Sequence, residues 1–262
     1  LRGEKVMKRI LRRLTFVSLV AASLGLGLAI SNTTAKADSW WGYSSGWYLW
    51  DDAGQSWDYG WQYQNGSWYY LGDNGAMRTG WQYIGGSWYY FNNSGQLSTG
   101  WQVINGSWYY FYSDGSMATG WADINGSYYH FSGSGSMQTG WIYDNGWFYM
   151  QGSGVIATGW FQAGNSWYYA DAGGYMLSGQ WLGDYYLNGN GSMATGWTYL
   201  GDGNWSYFNG SGRVQYGWVY SNGNWYWIDQ VGYMVTGYGN EVDNGKYGDF
   251  TDSGVFTGYE NY

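Results

Sequence analysis

Neither cysteine nor proline occurs anywhere in the 262 residues, and histidine occurs once, at His130. The missing cysteine excludes a disulfide scaffold, a thiol nucleophile and cysteine-ligated zinc. A single histidine excludes a His-His metal pair, and no cofactor or metal is expected. Charged residues are scarce as well, at 11%. Low charge with many aromatics is the opposite of the disordered composition. Trp 22, Tyr 31 and Phe 9 make up 24% of the chain, and Gly 47 follows. An active site needs varied, convergent polar groups, which this alphabet supplies poorly, so an enzyme is not expected. A repetitive aromatic surface is easily built from it.

The only long apolar run is Leu14–Ile30. Arg9, Arg12 and Arg13 precede it, and Ala35-Lys36-Ala37 follows a short polar stretch. Basic flank, apolar stretch and small-x-small site are the three parts of a secretory signal peptide. Residues 1–37 are therefore expected to be a signal peptide, cut after Ala37, with Met7-Lys8-Arg9 as its natural opening and an upstream extension before it. No membrane span is expected after cleavage. Of 10 basic and 18 acidic residues, seven basic (Arg2, Lys5, Lys8, Arg9, Arg12, Arg13, Lys36) and one acidic (Glu4) lie in 1–37. The remainder holds 3 basic and 17 acidic residues, a net charge of 3 − 17 = −14. Such a chain repels phosphate backbones, so nucleic acid is not an expected partner. A cationic or neutral ligand is favoured. Without cysteine or proline, neither a lipoprotein anchor nor an LPxTG-type sortase signal is expected. The expected location is secreted, held to the cell wall non-covalently.

The rest of the chain is one unit written about ten times. Gly-aromatic pairs recur at Gly60-Trp61, Gly80-Trp81, Gly100-Trp101, Gly120-Trp121 and Gly140-Trp141, at intervals of 20 residues. They continue with slight drift at Trp160, Trp197, Trp218, Tyr238 and Tyr259, with Trp181 as an irregular member. A fixed period near 20 marks a solenoid or array. Asn65-Gly66, Asn105-Gly106 and Asn125-Gly126 separate aromatic runs, and Asn-Gly is the strongest short hairpin signal because both residues tolerate positive φ. A two-residue turn sets Tyr63 opposite Trp68, Gln62 opposite Tyr69 and Trp61 opposite Tyr70. Side-chain alternation then gathers Trp61, Tyr63, Trp68 and Tyr70 on one face, with Gln62 and Tyr69 on the other.

A hairpin this small is marginal alone, so stacking of neighbours must supply most of the burial. The second half of each unit reads as a turn followed by one buried apolar residue, at Met77, Leu97, Met117, Met137, Ile156, Met176, Met193, Val214, Met234 and Phe256. The expected organisation is a degenerate leading repeat at 38–59, aromatic hairpin repeats at 60–237 and a C-terminal capping repeat at 238–262.

The succession Gly-Trp, Asn-Gly-Ser-Trp-Tyr-Tyr and Gly-x-Met-x-Thr-Gly-Trp resembles the choline-binding, or cell-wall-binding, repeat family over roughly residues 40–262. The resemblance implies an all-β fold, a left-handed β-hairpin solenoid of about ten repeats. It also implies aromatic cages between successive hairpins that capture choline headgroups of teichoic acids. Carried onto this chain, the cages are Trp61, Trp68 and Tyr90, then Trp81, Trp88 and Tyr110. A third uses Trp101 and Trp108, with His130 at the matching position of the next hairpin. Later candidates are Trp160 with Trp167, Trp197 with Trp205, and Trp218 with Trp225.

A quaternary ammonium has no N–H to donate, and ring faces attract it at about 0.5–2 kcal/mol each. Three rings give an affinity of ~1 mM. Several sites facing a repeating polymer gain about 10²–10⁴-fold by effective concentration. The same runs also resemble the glucan-binding repeats of secreted glucosyltransferases. With Gln62, Gln82 and Gln102 where lysine is common, an α-glucan or other neutral wall polysaccharide is the alternative ligand. A purely structural or adhesive role for the repeats is the third.

Overall fold

The computed structural model of the protein describes residues 38–52, 54–243 and 245–259. The expected signal peptide lies outside the described residues. These form 24 strands, arranged as nine two-stranded hairpins with a three-stranded sheet at each end of the order. No helix among them is long and apolar enough to cross a membrane. The strands fall into two compact units. One holds residues 38–139 with Met150–Ile156, the other Gly140–Tyr149 with the chain from Ala157 onward.

The hairpin of Gly60–Gln64 and Ser67–Leu71 has the register that alternation dictates: Trp61 opposite Tyr70, Gln62 opposite Tyr69 and Tyr63 opposite Trp68. Asn65 and Gly66 turn the chain at φ 49° and 83°. This is the pair of left-handed conformations that matches a tight turn to the twist of its strands. The hairpins of Trp81 and Trp101 repeat this register.

Each hairpin is extended by the loop that follows it. After Leu71 the chain turns through Gly72–Gly75, and Met77 returns antiparallel against Leu71. The returning segment also joins successive repeats. In the first unit the N–H of Leu97 donates to the carbonyl of Trp68 at 2.8 Å, and that of Met117 to the carbonyl of Trp88 at 2.9 Å. In the second unit Met176 donates likewise to Trp147 at 2.9 Å and Met234 to Trp205 at 2.7 Å. These bonds satisfy edge groups that a lone two-stranded ribbon would leave to water.

Within each unit the core is a column of one residue per repeat, the last of each second strand. In the first unit Leu71, Phe91, Phe111 and Phe131 are at most 1% exposed, and in the second Leu187, Phe208 and Ile228 are fully buried. The apolar residues expected to be buried after each turn behave differently. Ile156 and Val214 are buried, but Met77, Leu97, Met117, Met137, Met176, Met193, Met234 and Phe256 are half-buried. The reason is their place at the joint between repeats, where one side meets a neighbouring turn and the other stays open. Gly95 passes so close to Met77 that a β-carbon there would collide with the methionine, and Gly212 passes Met193 in the same way.

The ends depart from the repeat. Ser39–Tyr43, Gly46–Asp51 and Ser56–Trp57 form the leading three-stranded sheet, and Gly237–Glu241, Tyr247–Phe250 and Phe256–Tyr259 the trailing one. Phe256 therefore lies in a strand, opposite Phe250.

Candidate ligand-binding site

A two-stranded ribbon has two aromatic faces, and stacking brings one face of each hairpin against the other face of its predecessor. Trp61 shares its face with Trp68, at 6.3 Å between ring centroids and nearly perpendicular, and with Tyr70 at 5.3 Å. The next hairpin approaches Trp61 through Tyr89, at 4.9 Å and edge-on. The next two notches of this unit copy the arrangement. Trp81 lies 6.3 Å from Trp88 and 5.0 Å from Tyr109. Trp101 lies 6.1 Å from Trp108 and 4.8 Å from Tyr129. The leading sheet offers Trp40 to Tyr69 at 5.0 Å.

The ring that the next hairpin sets against Trp61 and Trp81 is the middle one of the Trp-Tyr-Tyr run, Tyr89 and Tyr109, where Tyr90 and Tyr110 were expected. Tyr90 pairs with Trp81 of its own hairpin at 5.1 Å, and Tyr110 with Trp101 at 5.2 Å. Alternation turns Tyr89 to the opposite face from Trp88 and Tyr90, and that face is the one laid against the preceding ribbon. His130 is placed by the same rule beside Trp121 in its own hairpin, at 4.7 Å. It leaves the Trp101 notch to Tyr129. Burial, and then Asp114, push the Tyr89 phenol above its ordinary pKa, so this wall stays neutral.

In the second unit an open cleft of about 410 Å³ is lined by Trp141, Trp147, Tyr168, Met176, Ser178, Gly189 and Asn190. Trp141 stands 6.1 Å from Trp147 and 4.8 Å from Tyr168, the same three-ring geometry, with the half-buried face of Met176 closing one side. Sequence reasoning missed this site because its hairpin lacks the serine before the second tryptophan and reads Gly-Trp-Phe-Tyr instead of Gly-Ser-Trp-Tyr-Tyr. The overlooked signal was the Gly140-Trp141 pair itself, on period. The remaining candidates are placed as follows. Trp160 meets Tyr185 at 5.0 Å, with Trp167 exposed at the tip of its hairpin. Trp197 meets Tyr226 at 4.6 Å, and Trp205 stands against Tyr199. Trp218 lies 6.2 Å from Trp225 and meets Phe256 at 4.9 Å, with Tyr259 at 6.4 Å.

The strand glutamines bond within their own repeat. The side-chain amides of Gln62, Gln82 and Gln102 each donate at 3.0 Å to a carbonyl just before the Gly-Trp pair. Asp114 accepts from the backbone N–H of Ser116 at 2.9 Å, a local turn bond. Polar side chains support turns, and the cleft at Trp141 is walled by three rings and a thioether, with Ser178 and Asn190 at its lining. At Trp141 the arrangement leaves a recess of about 410 Å³ without a charged side chain in its lining.

Hairpins that stack through Gly-Trp pairs and leave ring-walled notches define a repetitive binding module. Comparisons with known proteins agree. The choline-binding repeat model matches residues 59–99 and 98–122. The cell wall binding repeat model matches residues 119–137, 158–176, 195–213 and 217–234. The structure of CbpJ from Streptococcus pneumoniae TIGR4 is similar, with 31% identity, a TM-score of 0.63 and coverage of 83% of this chain and 92% of that one. Choline binding protein F from Streptococcus pneumoniae aligns with 28% identity and a TM-score of 0.52, covering 86% of this chain and 100% of its own. That protein has also been solved in the presence of a peptidoglycan analogue, a tetrasaccharide-pentapeptide, at a TM-score of 0.53 to this chain. Among curated protein sequences no match is found. The chain belongs to the choline-binding repeat family, and its repeats are cell-wall-binding repeats.

Proposed function

We propose that this chain is a secreted, non-catalytic module that holds itself to a cell wall by taking choline headgroups of teichoic acids into its three-ring notches, several at a time. The observation that carries the reading is the cleft of Trp141, Trp147, Tyr168 and Met176, whose walls are uncharged. An N-methylated cation cannot donate a conventional hydrogen bond, and perpendicular ring faces present negative quadrupoles to it from several sides. One notch holds a headgroup at about 1 mM. Retention on a wall follows when several notches engage one polymer, at about 10²–10⁴-fold gain. The family's choline-binding repeats support the ligand class.

The test is thermal denaturation with added ligand. Choline at millimolar concentration raises the melting temperature and dextran leaves it unchanged. The reverse pattern transfers the function to a neutral glucan.

A further inference from the structure

The notches use only part of the aromatic surface. Two residues beyond each Gly-Trp tryptophan, the first strand carries a side chain directed out near the tip of the hairpin. At five places it is a tyrosine: Tyr63, Tyr83, Tyr143, Tyr199 and Tyr220, all between 53% and 68% exposed. Each stands across the ribbon from a tryptophan of the second strand. The centroid distances are 5.2 Å for Tyr63–Trp68, Tyr83–Trp88 and Tyr143–Trp147, 5.4 Å for Tyr199–Trp205 and 5.0 Å for Tyr220–Trp225. The two rings are inclined at 49–63° to each other, which makes a shallow open corner outside the notch.

The repeats themselves show that the fold does not require this tyrosine. The same position holds Val103, Asp123 and Gln162 in three other hairpins, and those pair in the same register. Five exposed phenols at a position that tolerates valine, aspartate or glutamine are a surface in want of a ligand.

We infer that these Tyr–Trp corners are stacking platforms for sugar rings of the polymer whose headgroups enter the notches, so that each repeat reads a headgroup and an adjoining sugar together. This rests on the proposed reading for the choice of polymer. Three features select the occupant. The corner is continuous with the notch, since Trp68, Trp88 and Trp147 each belong to both, so whatever carries the headgroup passes over it. It carries no charge, and the cationic side chains among the described residues are only Arg78, Arg213 and Lys246, which excludes an anion-directed site. A pyranose is amphipathic in the way the corner is, with C–H faces for the rings and hydroxyls for water and the tyrosine O–H.

The experiment uses the full chain with Tyr63→Gln, Tyr83→Gln and Tyr143→Gln combined, a change that copies the natural Gln162 and is therefore compatible with folding. Free choline is titrated by tryptophan fluorescence, and retention is measured on choline-bearing bacterial walls, on sugar-free polystyrene beads carrying choline, and on phosphatidylcholine vesicles. The expected result is unchanged affinity for free choline and beads with about tenfold weaker retention on walls. Equal retention of parent and variant on walls overturns the inference, as does an equal loss on beads. A loss confined to vesicles also overturns it and assigns the corners to a lipid surface. A parent that binds walls but not choline defeats the headgroup reading instead, and the wall comparison between parent and variant still decides the platform.

Discussion

Trp141 and Trp181 stand at the same place in their repeats and within the same unit, yet one walls an open cleft and the other stands half-buried with no outer-wall ring in its hairpin. Around Trp141 the hairpin reaches out to Trp147, and the next hairpin presents Tyr168. Around Trp181 the strands stop early, at Gln180–Leu182 and Tyr185–Leu187, so that Asp184 falls in the turn where an outer-wall ring stands elsewhere. The next hairpin presents Ser206 in place of a tyrosine, fully buried and with no hydrogen-bond partner for its hydroxyl. Trp181 packs against Phe208 at 5.4 Å, as Trp61 packs against Phe91 at 5.6 Å, and lies against the cluster of Tyr186, Ala194, Val214, Val219 and Ile228. Arg213 then lies over Tyr185 and 4.0 Å from Asp184, an exposed pair on the shortened tip. The core column is indifferent to all this, since Met150 and Leu187 are both fully buried. The base of each hairpin makes the fold, and the tip makes the site.

The largest effect that separates base from tip is Phe208→Ala. Removing this fully buried ring is expected to cost about 3–5 kcal/mol, read by chemical denaturation. A loss under about 1 kcal/mol would mean the column is not the core. Next, Trp147→Ala at the tip is expected to change stability by no more than about 1 kcal/mol. It should remove one choline site from the stoichiometry measured by calorimetry. Wild-type stoichiometry with lowered stability would reverse the assignment. The smallest effect is alkaline. Burial first, with nearby charges second, raises the Tyr89, Tyr112 and Tyr128 phenols above 10.0. Their contribution to stability is complete below 10.0 and is lost as pH rises through the higher folded-state values. The melting temperature should therefore begin to fall above about pH 10, and a rise there would contradict the burial of these rings.

Much of this is legible in the chain alone. The register of Trp61, Gln62 and Tyr63 follows from a two-residue Asn-Gly turn and the alternation of a strand, both local properties. The choice of Tyr89 over Tyr90 is not legible, because alternation says which rings share a face but not which face lies against the neighbour. The half-burial of Met176 is hidden for a related reason, since an apolar residue after a turn reads as core unless the joint between repeats is known. The hairpin of Trp141 and Trp147 is obscured because its spacing is one residue short, although three-dimensional stacking absorbs the deletion at the turn and keeps the rings in place.

By itself the amino-acid sequence determined the repeat, the hairpin, the turn and the pairing, because each is set by contacts between residues close along the chain. Only the tertiary structure decided which rings meet across a joint and that the repeat of Trp141 keeps an open cleft. Those outcomes depend on how one ribbon rotates onto the next, and on whether a ring 27 residues ahead, as Tyr168 is to Trp141, is there to hold the wall apart.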